Sequence, residues 1–221
     1  MSSLLRPLEQ DVLQAFFELE KSEAFVLTGG AALAEFYFQH RLSNDLDLFT
    51  LDEQAYAEIN AQVTALAQAV GAEQKSVRPL TTMNQLNLER AGESLKIDFV
   101  RDAGPAFGEP LQRGKVRVDA LENMGANKIL ALFGRAATRD YIDLYFILHE
   151  GGLTFDHLLA LAKQKDPGLQ EFYLANWIRQ QTPKLESPPV MLKPIDLEEI
   201  KRYFLKLADE LMAGLNPEKQ P

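Results

Sequence analysis

The sequence contains no cysteine, which excludes disulfides, thiolate metal sites and a thiol nucleophile. Only three histidines are present, which argues against a histidine-rich zinc site. No apolar run approaches the roughly 18 residues of a membrane span. The first residues lack the basic start and apolar core of a signal peptide. We therefore expect a cytoplasmic protein with no membrane segment.

Basic residues are outnumbered, since 23 Lys and Arg face 32 Asp and Glu, and the 221 residues carry a formal net charge of −9. This balance argues against a protein that coats nucleic acid non-specifically, but it leaves open an RNA substrate held by a local basic patch. The length and the 46% apolar content are typical of one sizeable domain, or of a catalytic domain with a helical extension.

The most informative stretch is GGAALAEFYFQHRLSNDLDLFT, residues 29–50. The apolar run 25–27 before it predicts a buried strand. Two glycines follow, which let the backbone turn sharply and approach a ligand closely. A helix is then predicted from Ala31 to about His40, and a second strand carries two aspartates.

These two aspartates, Asp45 and Asp47, point to metal chemistry. Side chains alternate along a strand, so both carboxylates lie on one face, with Leu46 and Leu48 on the other. Neighbouring carboxylates repel each other unless a cation lies between them. Mg2+ or Mn2+ takes oxygen ligands and can also bind substrate phosphates, which is the chemistry of nucleotidyl transfer.

A third carboxylate, Asp98, lies in the predicted strand 94–100, between Ile97 and Phe99. Such a position is most often the solvent face of an amphipathic strand. Alternatively, Asp98 completes the metal site or accepts a proton from the attacking hydroxyl.

Residues 120–148 read as helix, with room for an interruption between Gly134 and Thr138. On one ideal helix, three cationic side chains fall within roughly 40° of one another, and Asp143 lies about 60° from Lys128. The three cations are Lys128, Arg135 and Arg139. This stripe either supplies cations to a triphosphate or forms surface ion pairs such as Arg139 with Asp143.

Two motif blocks resemble those of the AbiEii-type nucleotidyltransferases, a branch of the DNA polymerase β-like superfamily. The first block comprises Gly29, Gly30, Arg41, Ser43, Asp45 and Asp47. The second, Lys-x-x-Ala-Leu-x-x-Arg followed by Arg-Asp-Tyr-x-Asp-Leu, begins at Lys128 and includes Asp143. Gly30 stands where the superfamily often has serine, so it offers a backbone N–H but no hydroxyl.

The resemblance implies a role for each matched residue. Asp45, Asp47 and Asp98 are expected to hold Mg2+ or Mn2+, with Asp98 as base or third ligand. Lys128 is expected to contact a phosphate, and Asp143 to orient a basic side chain or the acceptor. The expected nucleotide-binding residues are Gly29, Gly30, Arg41, Ser43, Lys128, Arg135 and Arg139.

The same resemblance implies an α/β (α+β) fold. We expect a polymerase β-like nucleotidyltransferase core with a mixed sheet in residues 1–110. A mainly helical C-terminal domain in residues 111–221 would carry the Lys128 and Asp143 motifs.

The implied reaction moves a nucleoside monophosphate from an NTP to an acceptor, either a tRNA end or a protein, and releases pyrophosphate. The resemblance also implies the toxin of a type IV AbiE-like toxin–antitoxin or phage-defence system, with a cognate antitoxin protein. One alternative is an antibiotic nucleotidyltransferase, although its acceptor pocket should be acidic rather than basic. Another is a non-catalytic nucleotide-binding or interaction module on the same fold.

Overall fold

The computed structural model describes residues 3–215. The chain divides into two compact units. Unit 1 comprises Met1–Gly104 and Gly108–Ala120, and unit 2 comprises Pro105–Phe107 and Leu121–Pro221.

Unit 1 is built on a seven-stranded sheet. The strands are β1 (Phe25–Thr28), β2 (Asp45–Thr50), β3 (Glu73–Pro79), β4 (Met83–Arg90), β5 (Glu93–Arg101), β6 (Leu111–Arg113) and β7 (Val116–Val118). Their order in the sheet is β3-β4-β5-β2-β1-β7-β6. Two neighbouring pairs, β2 with β5 and β1 with β7, are parallel, and the other pairs are antiparallel. The predicted mixed sheet is therefore confirmed.

The helices of unit 1 are α1 (Pro7–Phe16), α2 (Gly29–Ala32) and α3 (Glu53–Ala69). A π-helical segment, Leu33–Phe38, continues α2. Asp52 caps α3, because its carboxylate accepts hydrogen bonds from the N–H groups of Gln54 and Ala55.

One face of the sheet is buried against α1 and α3. The Phe16 ring of α1 lies 5.4 Å from the Phe25 ring and 5.6 Å from the Phe99 ring. Along β2, buried Leu46 and Leu48 alternate with partly exposed aspartates. The burial of these apolar side chains fixes which face of β2 the aspartates occupy.

Unit 2 is helical. Its described helices are α4 (Leu121–Gly134), α5 (Thr138–Glu150), α6 (Phe155–Lys165), α7 (Glu171–Gln181) and α8 (Leu197–Gly214). The predicted interruption between Gly134 and Thr138 is confirmed, and Ala136 within it has a left-handed backbone with φ of 49°. Residues 120–148 are thus two helices rather than one.

The sequence-based division after residue 110 differs from the observed grouping, because β6 and β7 pair with each other and β7 pairs with β1. Both strands belong to unit 1. Across residues 3–215, no helix combines the length and apolar character needed to cross a membrane.

Candidate active site

The glycine pair begins directly where β1 ends. Thr28 is the antiparallel partner of Asp47, so the chain turns into α2 beside this carboxylate. Gly29 has a φ of 69°, and a Cβ added there would overlap Asp47 Oδ2. Glycine is therefore required at position 29, because the backbone φ is positive and because Asp47 occupies the space of a side chain.

Gly30 contacts two other residues of the motif. A Cβ added at Gly30 would overlap Arg41 Nη2 and lie 2.9 Å from Ser43 Oγ. Arg41 is only 3% exposed, and its Nη1 donates a hydrogen bond of 2.9 Å to the carbonyl of Leu42. The structure thus brings Gly30, Arg41 and Ser43 together.

Parallel pairing of β2 with β5 collects the three predicted carboxylates. Asp45 is the register partner of Lys96, and Asp47 is the register partner of Asp98. Register partners point to the same face of a sheet. Asp45, Asp47 and Asp98 therefore share one face, and Lys96 shares it with them.

Lys96 bridges two of these carboxylates. Its Nζ lies 3.0 Å from Asp45 Oδ2 and 3.1 Å from Asp98 Oδ2. Burial lowers the pKa of Lys96, but Asp45 and Asp98 outweigh burial and hold that pKa above its usual value. On the other side, Gln85 Nε2 donates a hydrogen bond of 3.0 Å to Asp98 Oδ1.

The chemistry of these donors suits a divalent ion, because carboxylate oxygens are the ligands that Mg2+ and Mn2+ take. In the side-chain arrangement of residues 3–215, no group of three acidic or histidine residues is already poised around a metal position. Two of these donors, Asp45 and Asp98, are instead paired with the Lys96 ammonium.

A buried carboxylate, Asp119, supports the start of the glycine pair. Thr28 Oγ1 donates a hydrogen bond of 2.7 Å to Asp119 Oδ2, and both residues are 3% exposed. The Tyr37 hydroxyl donates to the Asp119 carbonyl at 2.8 Å. Burial, together with the Asp119 charge, raises the pKa of Tyr37 to about 12. Asp119 lies outside both motif blocks and was not predicted from the sequence.

A second group of charged side chains lies within unit 2. Lys128 Nζ is 2.6 Å from Asp143 Oδ2 and 2.8 Å from Asp140 Oδ1. Arg135 Nε is 2.8 Å from Asp140 Oδ2. Both aspartate side chains are fully buried, and the Lys128 side chain is 8% exposed.

The pKa values in this group follow from burial and pairing. Burial lowers the pKa of Lys128, but the charges of Asp143 and Asp140 outweigh burial and raise that pKa overall. Burial raises the pKa of Asp140, but the hydrogen bond from Arg135 and the charge of Lys128 hold it below its usual value. Lys128 and Asp140 are thus both charged near neutral pH.

The helical stripe predicted from the sequence needs correction. The stripe requires one continuous helix, whereas Lys128 lies on α4 and Arg139 on α5. Arg139 is exposed, while Asp143 is buried and pairs with Lys128. The alternative of a surface pair between Arg139 and Asp143 is wrong for the same reason.

Comparison with known proteins agrees with this fold. The chain is 23% identical to an uncharacterized protein of Aquifex aeolicus over 165 residues, which cover 73% of this chain and 75% of that protein. It resembles the crystal structure of JHP933 from Helicobacter pylori with a TM-score of 0.58 and 18% identity, covering 94% and 90% of the two chains.

A second crystal structure from H. pylori, described as that of a candidate nucleotidyltransferase, also has a TM-score of 0.58. It is 19% identical to this chain, and the match covers 97% of this chain and 96% of the other. These likenesses support the α/β nucleotidyltransferase fold with a mixed sheet.

The family described as the nucleotidyl transferase AbiEii toxin of type IV toxin–antitoxin systems matches residues 11–218. That span includes both motif blocks, the paired strands β2 and β5, and the Lys128 group. This chain therefore belongs to the AbiEii nucleotidyltransferase toxin family.

Proposed function

We propose that this chain transfers a nucleoside monophosphate from an NTP to an acceptor hydroxyl in a reaction that depends on Mg2+ or Mn2+ and releases pyrophosphate. The observation that carries this proposal is the register of β2 with β5. That register sets Asp47 beside Asp98, and Asp45 two residues away, on one face of the sheet.

Asp45, Asp47 and Asp98 would hold the divalent ion. When bound, such an ion neutralises phosphate charge and orients the transferred group. Asp98 would either complete the metal site or accept the proton of the attacking hydroxyl as a base, and the hydrogen bond from Gln85 would hold its carboxylate in place.

The beginning of α2 would bind phosphate through backbone N–H groups. A helix N-terminus attracts anions, and the missing side chains at Gly29 and Gly30 let Asp47 and Arg41 lie directly against this turn. Arg41 and Ser43, which contact Gly30, would hold this turn in place and add positive charge and a hydroxyl.

In unit 2, Lys128 would contact a phosphate, and Asp143 would orient the Lys128 ammonium. The short contact between Lys128 and Asp143 supports the second assignment. Arg135, which is 56% exposed, and Arg139, which is also exposed, would add positive charge for an anionic ligand.

Family membership supports a toxin whose partner is a cognate antitoxin protein, within a toxin–antitoxin or phage-defence system. The acceptor would be a tRNA end or a protein hydroxyl. The exposed arginines fit an anionic acceptor such as RNA better than a cationic aminoglycoside.

The test is transfer of label from each of the four NTPs, labelled at the α-phosphate, in the presence of Mg2+. The acceptors are total tRNA, total protein and an aminoglycoside. The inactive variant is D45N with D47N, and the matched control is D209N, whose side chain is 66% exposed and pairs with Arg179.

Label on tRNA or protein that requires Asp45 and Asp47 but not Asp209 would support the proposal and identify the nucleotide. Label on the aminoglycoside would support the antibiotic-modifying alternative. If the folded wild type binds NTP and labels none of the acceptors, the non-catalytic alternative gains support and the proposed reaction is contradicted.

A further inference from the structure

The Lys96 ammonium lies between two of the three carboxylates that would hold the metal ion. It is 3.0 Å from Asp45 Oδ2 and 3.1 Å from Asp98 Oδ2. Since β2 and β5 are in register, the Lys96 side chain starts directly opposite Asp45 and two residues before Asp98. This ammonium reduces the repulsion between the carboxylates, which is also what a divalent ion would do.

Another lysine in the same sheet makes a similar bridge in a different environment. Lys75 Nζ lies 2.7 Å from Glu73 Oε2 and 3.2 Å from Glu89 Oε2. The carboxylates around Lys75 are 70% and 44% exposed, whereas the Asp98 side chain is only 13% exposed. Water therefore screens the charges around Lys75 more strongly than it screens the charges around Lys96.

We propose that Lys96 holds the carboxylate cluster together in the metal-free protein and competes with the divalent ion for Asp45 and Asp98. Binding of the ion then displaces the Lys96 ammonium from these oxygens. The displaced ammonium stays on the same face of the sheet, where it is a cation for an anionic substrate group. This inference rests on the proposed metal-dependent function.

The direction in which removal of Lys96 changes the metal affinity distinguishes competition from a purely structural role. If Lys96 competes with the ion, its removal strengthens metal binding, because the carboxylates are released and a repelling charge is lost. If Lys96 only holds the carboxylates in the geometry that the metal needs, its removal weakens metal binding. In both cases the metal-free protein loses an ion-pair bridge and becomes less stable.

The first measurement is calorimetric titration of the full chain with Mn2+, using the wild type, K96M, K96R and K75M. We expect K96M to bind Mn2+ roughly tenfold or more tightly than the wild type. K96R keeps the charge and should bind close to the wild-type affinity. K75M removes the matched exposed bridge and should also bind as the wild type does.

Each result either supports or contradicts the proposal. Equal or weaker Mn2+ binding by K96M, with measurable binding by the wild type, would overturn the role of Lys96 but leave the metal-dependent function standing. Absence of Mn2+ binding by every variant would contradict the metal dependence itself, and Lys96 would then have no ion to displace. Circular dichroism of each variant checks that it is folded, and K96Q replaces K96M if that variant fails to fold.

A second measurement needs only the wild-type protein under titration. The lysine side chains are labelled with 13C at Cε and observed by NMR. The signal that is missing from the spectrum of K96R belongs to Lys96, and the signal that is missing from that of K75M belongs to Lys75. Saturating Mg2+ should shift the Lys96 resonance and leave the Lys75 resonance in place. An unshifted Lys96 resonance at saturation would overturn the proposal.

Discussion

Lys128 Nζ lies 2.6 Å from Asp143 Oδ2, and solvent reaches almost none of either side chain. The two residues come from different helices, α4 and α5, and Asp140 completes the group from the first turn of α5. A buried ammonium between two buried carboxylates contributes to stability only while the set is complete, since each unpaired charge is costly in the interior.

Removal of the Lys128 charge should destabilise unit 2. In K128M, Asp140 and Asp143 lose their shared ammonium, and we expect the free energy of unfolding to fall by about 3–5 kcal/mol. Urea denaturation followed by circular dichroism measures this change. The matched control is K163M, which removes an exposed pair with Glu171 and should cost less than about 1 kcal/mol. Equal losses in the two variants would contradict this prediction.

Asp140 should make the free energy of unfolding fall as the pH is lowered in the acid range. Its pKa in the folded protein lies below the usual aspartate value of about 3.9, so the unfolded chain binds more protons in this range. The contribution of Asp140 is complete above the unfolded pKa and is lost as the pH falls through the lower, folded pKa. The raised pKa of Lys128 adds stability that is lost only as the pH rises through that raised value.

Urea denaturation of the wild type and D140N between about pH 5 and pH 3 tests this dependence. The free energy of unfolding should fall less steeply in D140N, because one of the groups responsible is absent. D209N changes an exposed aspartate and should follow the wild-type curve. Parallel curves for the wild type and D140N would show that Asp140 does not cause the dependence.

Substitution of Gly29 should impair the site more than the stability of the fold. In G29A, the new Cβ overlaps Asp47 Oδ2, so this carboxylate has to move, and the backbone φ of 69° is strained as well. G71A is the matched control, since Gly71 has a φ of 62° but no atom within 4 Å of an added Cβ.

We expect each of these glycine variants to lose about 1 kcal/mol of stability from the strained backbone. Only G29A should also lose Mn2+ binding and nucleotidyl transfer, by roughly a hundredfold in rate if Asp47 is misplaced by about 1 Å. Full activity in G29A would mean that Asp47 tolerates displacement, and the assignment of this residue to the metal would fail.

The hydrogen bond from Thr28 to Asp119 should stabilise the end of β1. T28V keeps the shape of the side chain but removes a donor from a buried carboxylate, which costs about 1–3 kcal/mol. T28S retains the hydroxyl and should recover most of that loss. The comparison is made by urea denaturation, and equal stability of T28V and T28S would rule out a contribution from this hydrogen bond.

Several local features of the site follow directly from the sequence. The alternation in Asp45-Leu46-Asp47-Leu48 predicts which side chains share a face, and the structure agrees. The turn at Ala91-Gly92, with both φ values positive, joins β4 to β5 and sets the register that pairs Gln85 with Asp98. Lys96 is two residues before Asp98 on the same strand and therefore lies on the same face. Both neighbours of Asp98, Gln85 and Lys96, could thus have been identified from the sequence.

Other features depend on contacts between distant segments. Nothing local in Asp119 indicates a bond to Thr28, because this bond exists only after β7 pairs with β1. The stripe predicted for residues 120–148 is wrong because the helix is interrupted around Ala136. This interruption lets Asp140 and Asp143 face Lys128.

By itself, the sequence determined the strands β1, β2 and β5, the face on which Asp45 and Asp47 lie, and the two motif blocks of the AbiEii family. These properties depend on hydrophobic periodicity and short-range turn geometry, which neighbouring residues specify. Only the tertiary structure decided that β2 lies parallel to β5, that Lys96 bridges Asp45 and Asp98, and that Lys128 is buried between two aspartates. Parallel pairing and charge burial depend on packing between segments far apart in the chain, and no local pattern encodes that packing.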